Sequence, residues 1–223
     1  MALGGYDALS RALGVDGLVR TGDGVRNGGL RLSRAELLDA AARLEAASGP
    51  SPDAEEAGAL TFLHYAAADA AAEGGDSAGA VRERAAARAM AVKTLAAAPT
   101  RADVSLALAE LRFLDGKDRG EIVRPLLLSY ETAPRELWII ERRIGLGLRL
   151  AATAGPDLMP HIIADIRTLG EPFRSTDYYR ELAVAAWRAG PYAVALVGRE
   201  LAPEPLSFFN RDLGQLAARP PSP

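Results

Sequence analysis

Residues 95–116 read LAAAPTRADVSLALAELRFLDG. Within this stretch Val104, Leu108, Leu111 and Leu114 recur at spacings of four, three and three, the step that returns a side chain to one face of an α-helix. Ala98-Pro99 stops a helix on one side, and Asp115-Gly116 is a turn signal on the other. The segment reads as one helix, over about 102–114, bounded by two chain reversals.

The same punctuation continues upstream. Ser33-Arg-Ala-Glu36 has the form of a capping box, with Leu37, Ala41 and Leu44 on one face behind it and Gly49-Pro50 at its end. Asp53, Glu55 and Glu56 place carboxylates where a helix N-terminus is positive; Leu60, Leu63 and Ala67 follow, and Gly74-Gly75 ends the segment. Asp76 or Ser77 caps a third helix, for which Val81, Ala85, Val92 and Leu95 are the expected inner side.

Downstream, residues 118–131 read as helical although Pro125 lies among them. Either the helix is kinked there or it begins near Arg124, because proline is tolerated only in the first turn. Leu137, Ile140, Ile144 and Leu148 mark a helix over 135–152, and Leu158, Ile162, Ile166 and Leu169 mark the next. Ser175 or Thr176 caps another that ends at Gly190. Pro191 opens a last one, closed by Pro203. The expectation is an all-α protein of about nine helices joined by short loops, packed as antiparallel neighbours in chain order. Each helix offers a single apolar stripe to that packing. Residues 1–32 are Gly-rich, with a short helix over Tyr6–Leu13 and a flexible loop over Gly22–Gly29. Residues 33–202 form a helical-repeat domain, and 203–223 a C-terminal extension with a Pro-rich tail from Arg219 to Pro223.

Self-similarity refines the architecture. Leu95-Ala-Ala-Ala-Pro99-Thr-Arg101 and Tyr130-Glu-Thr-Ala-Pro134-Arg-Glu136 both end a helix in Ala-Pro and start another within two or three residues. Their prolines are 35 residues apart, and Pro172 lies 38 further on. Over about residues 79–190 the chain resembles the tetratricopeptide-repeat family and its degenerate relatives. That resemblance implies an irregular α-solenoid of antiparallel helix pairs whose concave face engages a peptide or protein; a compact irregular bundle is the alternative architecture. A looser resemblance rests on Ala98-Pro99, Leu114-Asp115-Gly116, Leu126 to Ser129, Ala133-Pro134, Trp138 and Arg142-Arg143. It is to small tetratricopeptide-like accessory proteins of bacterial polysaccharide assembly, and it implies a scaffold or adaptor in that setting. Such proteins usually carry an N-terminal membrane anchor. Met1 to Asp7 has neither the basic start nor the apolar core of an export signal. The compartment stays open between the cytoplasm and, if an N-terminal anchor has been removed, the periplasm.

Composition removes several chemistries. The 223 residues are 49% hydrophobic and 25% charged, with a net charge of −3. Near-balance of charge argues against a nucleic-acid binder, whose affinity rests on neutralising phosphates. With no cysteine, disulfides, thiolate metal sites and a cysteine nucleophile are excluded. His64 and His161 are the only histidines. No uninterrupted apolar run is long enough to span a bilayer.

Gly75-Asp-Ser77-Ala-Gly79 matches G-x-S-x-G, the nucleophile elbow of serine esterases, and makes a Ser77 esterase the alternative function. The elbow needs a preceding strand, whereas the alanine-rich stretch 65–73 reads as helix. A glycine stop followed by an N-cap is the expected role. Thr21 to Gly29 fits neither glycine-rich phosphate motif. Asp157, His161 and Asp165 fall at i, i+4 and i+8, a geometry that could hold a metal, but ordinary surface polarity is the commoner outcome, and no metal or cofactor is expected. Trp138, Arg142, Arg143, Tyr178 and Arg180 are the candidate partner-binding residues, since aromatics and arginines dominate binding hot spots. Phe173, Tyr179 and Trp187 lie near them, and core packing is the commoner fate of Trp138, Tyr179 and Trp187. The reading is a non-enzymatic scaffold for a protein or peptide partner, with self-association as a further possibility.

Overall fold

Two capping boxes set the start of early helices in the computed structural model, which describes residues 14–171 and 176–218. The Ser33 hydroxyl accepts from the Glu36 amide while the Glu36 carboxylate accepts from the Ser33 amide at 2.7 Å. Asp53 accepts from the Glu55 and Glu56 amides at 2.8 and 2.9 Å, and Glu56 returns to the Asp53 amide at 2.9 Å. Each box satisfies amides that a helix start leaves without partners.

The described chain is helical, with no strand among the described residues. Its packing divides it into two compact units, Met1–Thr132 and Ala133–Pro223. This boundary falls inside the span read as a single repeat domain. The first unit holds α1 (Val15–Arg26), α2 (Arg34–Ser48), α3 (Ala54–Glu73), α4 (Ser77–Ala97), α5 (Ala102–Leu114) and α6 (Arg119–Thr132). The second holds α7 (Leu137–Leu150), a 3-10 turn (Ala151–Thr153), α8 (Met159–Leu169), α9 (Thr176–Ala189), α10 (Pro191–Glu200) and α11 (Pro203–Ala218). Eleven α-helices among the described residues replace the expected nine, α1 and α11 being the additions. The expected Tyr6–Leu13 helix, Ser175 and the Pro-rich tail lie outside the described residues.

Helix α1 takes in Gly22 to Arg26 of the expected loop and leaves Asn27 to Gly29 as the turn after it. Its glycines argue against a helix on propensity alone, but Gly22 is where α1 meets α3. A Cβ built on Gly22 would sit 2.6 Å from the Ala59 Cβ. The missing side chain is what lets the two helices touch, so tertiary packing overrides propensity here. Leu18 joins Leu37, Ala40, Leu44, Leu60 and Leu63 in a core formed by α1, α2 and α3.

The single-stripe expectation fails for two helices. Consecutive residues 57–64 of α3 and 102–109 of α5 are all buried, so these helices are enclosed on most sides. Helix α4 turns three of its four expected inner residues outward and keeps Leu95, which packs half-buried against the cluster of Phe62, Ala91 and Val104. Val81 and Val92 are 57% and 49% exposed and Ala85 is exposed, while Ala80, Ala87 and Ala91 are buried with Glu83 and Thr94. Small side chains let α4 lie close against α3, its principal neighbour, and the bulkier valines are left outside.

Helix α6 runs through Pro125. It begins at Arg119, with the Glu121 amide donating to Asp118 Oδ1 at 2.9 Å, which removes the alternative start near Arg124. Proline has no N–H for the carbonyl four residues earlier. That carbonyl belongs to Glu121, and the Arg112 guanidinium of α5 donates to it at 2.8 Å. A side chain from the neighbouring helix supplies the hydrogen bond that the proline omits.

In the second unit the apolar faces of α7 and α8 follow the sequence periodicity. Ile140, Ile144 and Leu148 are buried, as are Leu158, Ile162, Ile166 and Leu169. Helix α9 packs mainly on α11, α7 and α10, and α7 also packs on α8.

Candidate functional site

Of the arginine pair on α7, Arg143 is an interior residue and not a partner-binding one. It is 0% exposed. Its Nε and Nη2 donate to Asp165 Oδ2 and Oδ1, both at 2.7 Å, and its Nη1 donates to the Ala133 carbonyl at 2.8 Å. The forked guanidinium matches a carboxylate in this two-point way. Adjacent helix positions point about a hundred degrees apart, so Arg143 faces the core while Arg142 is half-exposed. Asp165, in turn, is committed to Arg143, which dissolves the Asp157–His161–Asp165 set. Among the described residues no cluster of three or more histidine or acidic side chains is placed to hold a metal ion.

The aromatics separate likewise. Tyr179 is 2% exposed, donates to the Glu171 carbonyl at 3.0 Å and stacks on Phe208 with ring centroids 5.5 Å apart. Trp138 and Trp187 are instead 40% and 47% exposed. The Trp138 indole N–H donates to Glu136 at 3.2 Å, leaving much of the ring open to solvent. Tyr178 is half-buried and Arg180 exposed on the first turns of α9. Phe173 lies outside the described residues.

Between α7 and α9 the second unit has a cleft of about 160 Å³. Ile144, Gly145, Val184 and Ala185 make its apolar wall, and Glu141, Arg149, Glu181 and Arg188 its charged rim. Nothing lies within 4 Å of a Cβ built on Gly145, so the α7 backbone is open at the centre. Trp138 is one turn before Glu141 on α7, and Trp187 immediately precedes Arg188 on α9. Sequence reasoning named Trp138 but missed the cleft, because its two sides are about forty residues apart in the chain.

In the first unit, Gly75-Asp-Ser77-Ala-Gly79 has a structural explanation. Gly75 turns the chain at a φ of 77°, a left-handed conformation that favours glycine. Asp76 caps α4: its Oδ1 accepts from the Gly79 amide at 2.8 Å and its Oδ2 pairs with Arg34 at 2.8 Å. Those bonds, from the Gly79 amide first and then Arg34, hold the Asp76 carboxyl below the usual carboxylate range. A Cβ on Gly79 would collide with this pair. Ser77 is the exposed first residue of α4, between two helices and not at a strand end.

Two polar clusters centred on buried side chains, His64 and Asp103, were not anticipated. His64 Nδ1 lies 3.0 Å from Glu83 and Nε2 3.3 Å from Glu45, joining α3 to α4 and α2. Asp103, 4% exposed, accepts from Arg101 at 3.0 and 2.9 Å and from Arg26 at 3.0 Å. Burial alone would raise the Asp103 carboxyl, but hydrogen bonds from Arg101 and the charges of Arg101 and Arg26 outweigh it and hold the group below its ordinary value. Both groups join residues distant in sequence, and no local motif announces either.

Comparison of the chain with family models, curated proteins and solved structures returns no match.

Proposed function

We propose that this chain is a non-enzymatic scaffold that binds a protein partner through the α7/α9 face of its second unit. The observation that carries this reading is the pair of exposed tryptophans, Trp138 and Trp187, beside a cleft with an apolar wall and a charged rim. Tryptophan and arginine are among the residues most enriched where binding energy concentrates. A tetratricopeptide-like stacking of helix pairs is part of the proposal. It is supported within each unit by principal contacts that join a helix to the next or next-but-one in the chain. A role in bacterial polysaccharide assembly rests on the Ala-Pro, Leu-Asp-Gly and Arg-Arg run alone.

The test is cross-linked capture from cell extract on the wild-type chain and on the Trp138→Ala/Trp187→Ala variant. The expected result is a defined set of proteins held by the wild type and lost by the variant, with helicity and melting unchanged. Equal retention by both would overturn the surface assignment. Phenyl-ester hydrolysis that disappears in Ser77→Ala would overturn the non-enzymatic reading.

A further inference from the structure

The rim of the α7/α9 cleft has an internal symmetry of charge. On α7, Glu141, Gly145 and Arg149 succeed one another at steps of four, on one side of the helix. On α9, Glu181, Ala185 and Arg188 do the same at steps of four and three. Each helix thus has an acid at one end of the cleft wall, a small residue at its centre and an arginine at the other end. Acid and base are separated by about 12 Å on α7 and about 10 Å on α9 at 1.5 Å per residue. The two helices together contribute two acids and two bases, and the cleft has no net charge.

We propose that this face binds a second copy of the same chain, α7 against α7 and α9 against α9, about a two-fold axis through Gly145. The proposal rests on the reading that the α7/α9 face is a protein-binding surface, and it names the occupant. A two-fold axis across the helices reverses each one relative to its copy. It sets Glu141 opposite the copy's Arg149, and Glu181 opposite the copy's Arg188. This matching holds whichever way α7 and α9 run relative to each other, because each acid meets the arginine of its own helix. At the centre, the absence of a side chain on Gly145 and the single methyl of Ala185 let two backbones approach closely. Self-complementarity of one patch is what an isologous interface demands. A dissimilar partner would have to supply an acid and a base at both spacings, whereas a second copy carries them already.

Charge exchange tests the arrangement. In one variant Glu141→Arg and Glu181→Arg make the rim wholly basic; in the other Arg149→Glu and Arg188→Glu make it wholly acidic. Sedimentation of the full chain over a concentration series should show a wild-type dimer that weakens as ionic strength rises. Each variant alone should self-associate on the order of 100-fold more weakly, since like charges now face each other. An equimolar mixture of the two should recover a one-to-one dimer, which no folding defect in either variant could produce. Gly145→Trp fills the cleft where nothing lies within 4 Å of the new Cβ, and should give a folded monomer. A wild type monomeric at every concentration, or variants whose mixture stays monomeric, overturns the proposal. If the wild type is monomeric yet Gly145→Trp abolishes capture of other proteins, the self-association inference falls while the binding surface stands.

Discussion

Replacing Arg143 by methionine tests the interior of the second unit most directly. The side chain is 0% exposed and its partner Asp165 is 1% exposed, so neither charge is solvated once the other is lost. Arg143→Met removes two charged hydrogen bonds of 2.7 Å and the 2.8 Å bond to the Ala133 carbonyl. Leaving one partner of a buried ion pair uncompensated costs about 3–5 kcal/mol. A domain has only about 5–15 kcal/mol in total, so the second unit should lose much of its stability. Arg143→Met/Asp165→Leu removes both charges and should recover most of that loss. A residual of about 1–3 kcal/mol should remain for the unsatisfied Ala133 carbonyl. The assay is urea unfolding followed by tryptophan fluorescence. The chain has two tryptophans, Trp138 and Trp187, and both belong to the second unit, so the signal reports that unit alone. A cost below about 1 kcal/mol for the single variant, or a double variant as unstable as the sum of its parts, would refute the reasoning.

Three other outcomes follow from the geometry. Asp103 has a folded-state pKa below that of the unfolded chain. Its stabilising contribution is therefore complete above an unfolded value of ~3.9 and fades as pH falls through the lower folded one; Asp103→Asn should flatten that acid-side loss in far-ultraviolet circular dichroism melts. Two helical glycines should respond oppositely to alanine. In the monomer, at dilutions where the chain does not self-associate, Gly145→Ala meets nothing within 4 Å and should stabilise by about 0.5–1 kcal/mol, whereas Gly22→Ala meets Ala59 backbone and side chain and should lower the melting temperature. Arg112→Ala should destabilise by about 1 kcal/mol with Pro125 in place. It should cost measurably less in a Pro125→Ala background, where the helix furnishes its own donor to the Glu121 carbonyl.

How much of this was legible depended on side-chain size. Where large aliphatics recur among polar residues, as at Leu37–Leu44 and Leu158–Leu169, periodicity located both the helix and its buried face. Helix α4 defeated the same method. Alanine occurs on all its sides, so Val81 and Val92 dominate any reading of hydrophobic pattern, although the close approach to α3 selects the alanines. Glycine misled in α1 for a related reason: its low helix propensity is local, and the contact with Ala59 that Gly22 permits is not. On α7, Arg142 and Arg143 are indistinguishable by type. Only the position of Asp165, twenty-two residues later, separates the buried arginine from the half-exposed one.

The outward valines of α4 also have a practical use. The chain contains no cysteine, so Val81→Cys or Val92→Cys would be its sole thiol, on a regular helix and pointing outward. A spin label or fluorophore attached there could follow the first unit without disturbing the alanine seam beneath it.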